Sequence, residues 1–122
     1  MKAPLSVCFI LLLLISCTSS YRSLQTALYE PEEVEDLRLS NGNFTALPPE
    51  IGELENLKKL FLFRNKLTSL PKEIGELKKL KRLVLSSNDL DSLPKEIGQL
   101  SNLEFLSLSY NNLKTLPPEI GK

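Results

Sequence analysis

The chain has 122 residues, room for one domain, and its 15 basic residues balance 15 acidic ones. That balance carries no nucleic-acid signature, and with histidine absent the usual base for a Ser or Cys nucleophile is missing. There is no Walker, G-x-S-x-G or metal-spaced motif, so we assign no catalytic residue and expect no cofactor, no metal site and no nucleic-acid partner.

Met1 and Lys2 precede a run from Leu5 to Ile15 that is apolar except for Ser6, and Ser16, Cys17, Thr18, Ser19 and Ser20 follow. A charged start, a short apolar run and a small-residue exit describe an export signal over residues 1–17. A membrane-spanning helix needs roughly 20 predominantly apolar residues, more than this segment supplies. Leu14-Ile15-Ser16-Cys17 also resembles a bacterial lipobox, in which the Cys is lipidated and becomes the first mature residue, although Ile15 stands where a small residue is usual. The alternative is ordinary cleavage, with Cys17 discarded or left as a free thiol. Cys8 is the other cysteine, so a mature chain starting near residue 17 has no intramolecular disulfide. Several acyl chains on Cys17 would hold the protein to a membrane surface, where one chain alone binds only marginally. The expected location is exported, at the outer membrane or cell surface, with secreted or periplasmic forms as alternatives.

Residues 18–33 read as a tether and an N-terminal cap. Leu24, Ala27 and Leu28 have helical spacing, and Pro31 stops any helix beyond Glu30. Such a short amphipathic helix suits the open end of a stack of repeats.

From Val34 onward the chain repeats every 23 positions. The units are 34–56, 57–79, 80–102 and an incomplete 103–122. In the pattern L-x-x-L-x-L-x-x-N-x-L, coil two supplies Leu57, Leu60, Leu62, Asn65 and Leu67, and coils three and four repeat it from Leu80 and Leu103. Coil one is degenerate, with Val34, Leu37, Leu39, Gly42 and Phe44. Every unit then carries a Leu-Pro-x-Glu-Ile-Gly block, at Leu47, Leu70, Leu93 and Leu116.

Leucines alternating with variable residues at period two predict a short strand in each coil, and stacking makes a parallel sheet. Asn65, Asn88 and Asn111 then turn the chain, each amide bonding backbone of neighbouring coils. Pro71 and Pro94 are expected at the first position of a helical piece, with Glu73 and Glu96 in its first turn. The fold class is an α/β solenoid of about four coils, with parallel strands on the concave face, short helical or irregular segments on the convex face, and a helical cap.

The unit Leu-Pro-x-Glu-Ile-Gly-x-Leu-x-x-Leu, at Leu47 to Leu57, Leu70 to Leu80 and Leu93 to Leu103, resembles the 23-residue class of bacterial leucine-rich repeats. Residues 21–122, including Tyr21 to Leu28 running into Glu32 to Leu39, look like exported repeat proteins and lipoproteins of spirochaetes. That resemblance implies a non-catalytic module of the cell envelope or surface that binds a protein or host ligand.

The same register writes the concave columns. Third positions are Asp36, Lys59, Arg82 and Phe105, and fifth positions are Arg38, Phe61, Val84 and Ser107. Seventh positions are Ser40, Phe63, Ser86 and Ser109, followed by Asn41, Arg64, Ser87 and Tyr110. Lys59, Phe61, Phe63, Arg64, Arg82, Val84, Phe105 and Tyr110 are the candidate ligand-binding residues, because exposed aromatics among cations have the composition enriched at protein interfaces. The alternative for Phe61, Phe63 and Val84 is packing on the sheet surface with no ligand. Glu35 beside Lys58, Lys81 beside Glu104 and Asp36 beside Lys59 are expected as solvated cross-strand pairs. Asn43-Phe44-Thr45 matches the N-glycosylation pattern and in a bacterial chain reads as a turn.

Charge is uneven: Glu30 to Glu55 holds eight acidic residues against Arg38 alone, and Asn56 to Arg82 holds nine basic residues against Glu73 and Glu76. The fourth unit stops at Lys122 without a polar cap, which raises self-association through that coil. A structural envelope component acting through that coil is the alternative to a ligand-binding module.

Overall fold

The computed structural model describes residues 20–121, so the export segment and the lipidation reading at Cys17 lie outside the described residues. Five parallel strands form one sheet in chain order: β1 Ser20–Tyr21, β2 Asp36–Arg38, β3 Lys59–Phe61, β4 Arg82–Val84 and β5 Phe105–Ser107. The register is a shift of one repeat, with Leu37 opposite Leu60, Leu60 opposite Leu83 and Leu83 opposite Leu106. In β2, β3 and β4 the central leucine points inward and its neighbours point out, as period-two alternation requires.

The opposite side is built from five-residue 3-10 helices at Pro49–Glu53, Lys72–Glu76 and Lys95–Gln99, with a shorter one at Pro118–Gly121. Between these helices and the sheet runs one continuous core. Leu57, Leu60, Leu62, Leu67, Ile74, Leu77, Leu80, Leu83, Leu85 and Leu90 are all fully buried. In coil four the equivalents Leu103, Leu106, Leu108 and Leu113 are only half-buried, and Leu116 is 51% exposed.

Proline departs from its expected place. Pro71 and Pro94 precede their 3-10 helices instead of opening them, with extended backbones (φ −70°, ψ 151° and φ −68°, ψ 148°). Their carbonyls accept the first helical bonds from the Ile74 and Ile97 amides. A proline φ serves an extended residue as well as a helical one, so the ring alone does not decide between the two positions. Pro49 does occupy the first turn, behind Pro48.

The invariant glycine of the Glu-Ile-Gly block is explained by close stacking. A Cβ on Gly75 would lie 2.7 Å from the Glu96 carbonyl oxygen, and one on Gly98 would lie 2.6 Å from that of Glu119. Successive 3-10 helices therefore approach backbone to backbone, and any side chain there would push the coils apart.

The cap forms as expected. α1, Leu24–Tyr29, begins at Ser23, whose hydroxyl accepts from the Thr26 amide, and it buries Ala27 while Leu24 and Leu28 pack on the core. Before it, Ser20 and Tyr21 pair with Asp36 and Leu37. The stretch read as a tether thus ends in a strand that covers the edge of β2. Two polar residues give no alternation from which to foresee that strand.

Candidate functional site on the concave face

The turn after each strand is organised by the asparagine column. Asn65 accepts the Gly42 and Phe44 amides at 2.9 and 3.0 Å and donates to the Leu39 and Leu62 carbonyls at 3.0 and 2.9 Å. Asn88 and Asn111 repeat three of the four bonds one and two coils on, accepting the Leu67 and Leu90 amides that correspond to Phe44 and donating to the equivalent carbonyls. A second ladder, on the residue before each coil's first leucine, escaped the sequence reading. Asn56 donates to the Glu32 carbonyl at 2.8 Å and Asn102 to the Lys78 carbonyl at 2.6 Å. Lys79 interrupts that column, and its ammonium donates to the Asn56 amide oxygen at 2.7 Å.

This turn forces the residue before the asparagine, or before Gly42 in coil one, into the left-handed region: Asn41 (φ 60°), Arg64 (φ 56°), Ser87 (φ 58°) and Tyr110 (φ 57°). Asn41 tolerates that conformation, as does Asn43 (φ 57°) in the turn that carries the glycosylation pattern, whereas Arg64 and Tyr110 are strained by it. The strain at these two candidates was not visible in the sequence, because side-chain pattern does not report φ.

Two cation–aromatic stacks lie on the sheet surface. The Arg38 guanidinium is 4.8 Å from the centre of the Phe61 ring and that of Arg82 is 4.6 Å from the centre of Phe105. Each stack joins direct register partners on adjacent strands. Arg38 is fixed by a forked bond to Asp36, Nε to Oδ1 at 3.1 Å and Nη2 to Oδ2 at 3.0 Å. The expected Asp36–Lys59 pair is replaced by this one, since a planar fork two residues along the same strand grips both carboxylate oxygens. Lys58 does pair with Glu35 at 3.1 Å, but among the described residues Lys81 and Glu104 form no ion pair.

Phe61 and Phe63 are therefore half-buried rather than open. They line a depression of about 300 Å³ with Arg22, Arg38, Ser40 and Asn41. Phe63 lies beyond the last residue of β3, and the Ser40 hydroxyl there is buried without a hydrogen-bond partner among the described residues. Val84 is half-buried beside Phe61, its register partner. Lys59, Arg64 and Arg82 are exposed, Phe105 is 44% exposed and Tyr110 is 84% exposed. A second depression, about 470 Å³, is lined by Lys58, Lys59, Lys81, Arg82, Glu104 and Phe105. The eight candidates thus divide: Phe61 and Phe63 line the first depression, Lys59, Arg82 and Phe105 the second, Arg64 and Tyr110 stand on the turn, and Val84 lines neither depression. The sequence reading missed Arg22, Arg38, Ser40 and Asn41 at the first depression and left Lys81 among the solvated pairs. Among the described residues no cluster of His, Cys, Asp or Glu is arranged to hold a metal, and no helix is long and apolar enough to cross a membrane.

The leucine rich repeat family matches residues 32–90 and 78–120. The chain belongs to this family. Leucine-rich repeat chains are typically non-catalytic interaction modules. Among solved structures, a leucine-rich repeat protein of Leptospira interrogans is 35% identical at a TM-score of 0.72, over 83% of this chain and 38% of that one. A chain of the BIR3–SERK2 complex from Arabidopsis thaliana is 35% identical at 0.65, over 73% of this chain and 50% of that one. Listeria monocytogenes InlP is 33% identical at 0.65, over 73% of this chain and 24% of that one. The leucine-rich repeat chain thus spans half or less of the length of each of these proteins. No curated protein matches it.

Proposed function

We propose that the protein is a non-catalytic binding module, exported to the bacterial cell envelope or surface, that recognises a protein or host ligand through the concave face of its repeats. The observation that carries the proposal is the separation of side chains. The leucines of coils two and three are buried, while Phe61, Phe63, Val84, Phe105 and Tyr110 stand outside that core among Lys59, Arg64 and Arg82. Tyr110 is the sharpest case, since an aromatic 84% exposed on a left-handed backbone costs the fold strain and returns no packing. The BIR3–SERK2 neighbour, a leucine-rich repeat structure solved as a complex, supports a protein partner. Export and lipidation are supported by the Met1 to Cys17 pattern.

The test is capture of surface or host proteins on the immobilised protein, with the double variant Phe61→Ser, Phe63→Ser as control. Retention by the wild type and loss in the variant is the expected outcome, and equal retention by both sinks the concave-face assignment. Metabolic labelling with a radioactive fatty acid tests Cys17: label in the wild type and none in Cys17→Ser is expected, whereas no label in either removes the lipid anchor.

A second proposal is favoured by coil four, where Leu103, Leu106, Leu108 and Leu113 are half-buried and Leu116 is 51% exposed. Self-association through that coil would cover them, as neighbouring coils cover Leu80 and Leu83. Light scattering over a concentration series decides it: growth in mass with concentration supports assembly, and a monomer to high micromolar concentration rejects it.

A further inference from the structure

We infer that the strand-entry margin of the concave face docks an acidic polypeptide segment carrying apolar residues, with Lys59, Lys81 and Arg82 receiving its carboxylates and Phe105 its apolar side chain. The inference rests on the concave-face assignment and names the chemistry of the partner.

The repeat places like charges side by side. Lys59 is the register partner of Arg82 across β3 and β4, and the Lys81 amide bonds the Lys58 carbonyl one step earlier. Like charges directly opposite on neighbouring strands destabilise a sheet, so two such rows are a cost to the fold that a bound anion offsets. Glu35 neutralises Lys58. Lys59 and Lys81 are exposed, and among the described residues neither forms an ion pair. The Arg82 guanidinium carbon sits 4.6 Å from the centre of the Phe105 ring and, among the described residues, Arg82 forms no ion pair, so its N–H groups are available to a carboxylate.

The lining also selects the type of anion. Glu104 borders the same depression as the four cations, and Phe105 contributes an apolar wall that is 44% exposed. A densely sulfated polysaccharide would meet Glu104 with like charge and leave the Phe105 ring uncovered. Spaced carboxylates alternating with apolar side chains satisfy both features.

The experiment measures fluorescence anisotropy of a labelled peptide of alternating Glu and Leu titrated with the full chain, against a Lys-Leu counterpart and a heparin hexasaccharide. Saturable binding of the acidic peptide is expected, weakening about tenfold or more as salt rises from low to moderate ionic strength. The double variant Lys59→Ser, Lys81→Ser should lose about tenfold in affinity at low salt with a melting temperature equal to or above that of the wild type, since both side chains are exposed and their loss relieves the like-charge rows. Phe105→Ser should weaken binding and leave its salt dependence intact. No binding by the wild type, unchanged affinity in the lysine variant, or tighter binding of heparin than of the peptide each overturns the inference. Failure of the concave-face assignment reads differently, as partner capture that survives Phe61→Ser, Phe63→Ser.

Discussion

Asn88 shows how a single side chain welds two turns together. Its amide nitrogen donates to the Leu62 and Leu85 carbonyls at 2.9 and 3.0 Å and its oxygen accepts the Leu67 amide at 3.0 Å, all in a buried setting. Replacing it with alanine strands those backbone groups, so Asn88→Ala should cost about 2–4 kcal/mol in urea denaturation. A loss under ~1 kcal/mol would mean that water replaces the amide. Tyr110 behaves in the opposite way. Relieving its left-handed strain with Tyr110→Asn should raise stability by about 0.5–1 kcal/mol, read as a higher melting temperature, and reduce partner capture. A lower melting temperature would show that the tyrosine supports the fold.

Within each repeat, the leucine and asparagine positions were legible in the sequence because each has one geometric job repeated without exception in coils two to four. The glycine was legible only as a constant, since its reason is the approach of the next 3-10 helix, a distance that no single repeat encodes. Gly75→Ala should therefore destabilise by about 1–3 kcal/mol, because the Glu96 carbonyl oxygen is backbone and cannot swing aside. Equal stability in a melting comparison would show that the coils separate without cost. The second ladder through Asn56 and Asn102 stayed hidden because Lys79 breaks the column. Charge pairing was legible at Glu35 and Lys58 but not at Lys81 and Glu104, which form no ion pair among the described residues, and it failed at Asp36. There the fork geometry of Arg38 won over the cross-strand column partner Lys59.

Across the whole molecule, stability is a sum over neighbouring coils, and what the repeat leaves unspecified is where function is sought. The period distinguishes inward from outward columns and so found Phe61, Phe63, Phe105 and Tyr110. It could not show that Arg38 and Arg82 lie over two of those rings, because stacking depends on side-chain torsions and not on register. Phe61→Ser with Phe63→Ser is expected to abolish capture with little loss of stability, both rings being outside the core cluster.

The central claim, recognition through the concave face, is tested most directly by hydroxyl-radical footprinting of the protein with its captured partner. Oxidation of Phe61, Phe63, Phe105 and Tyr110 should fall on binding while that of the convex residues stays level. Protection confined to the 3-10 helices or to Leu113 and Leu116 of coil four, with the four aromatics still reactive, would contradict it.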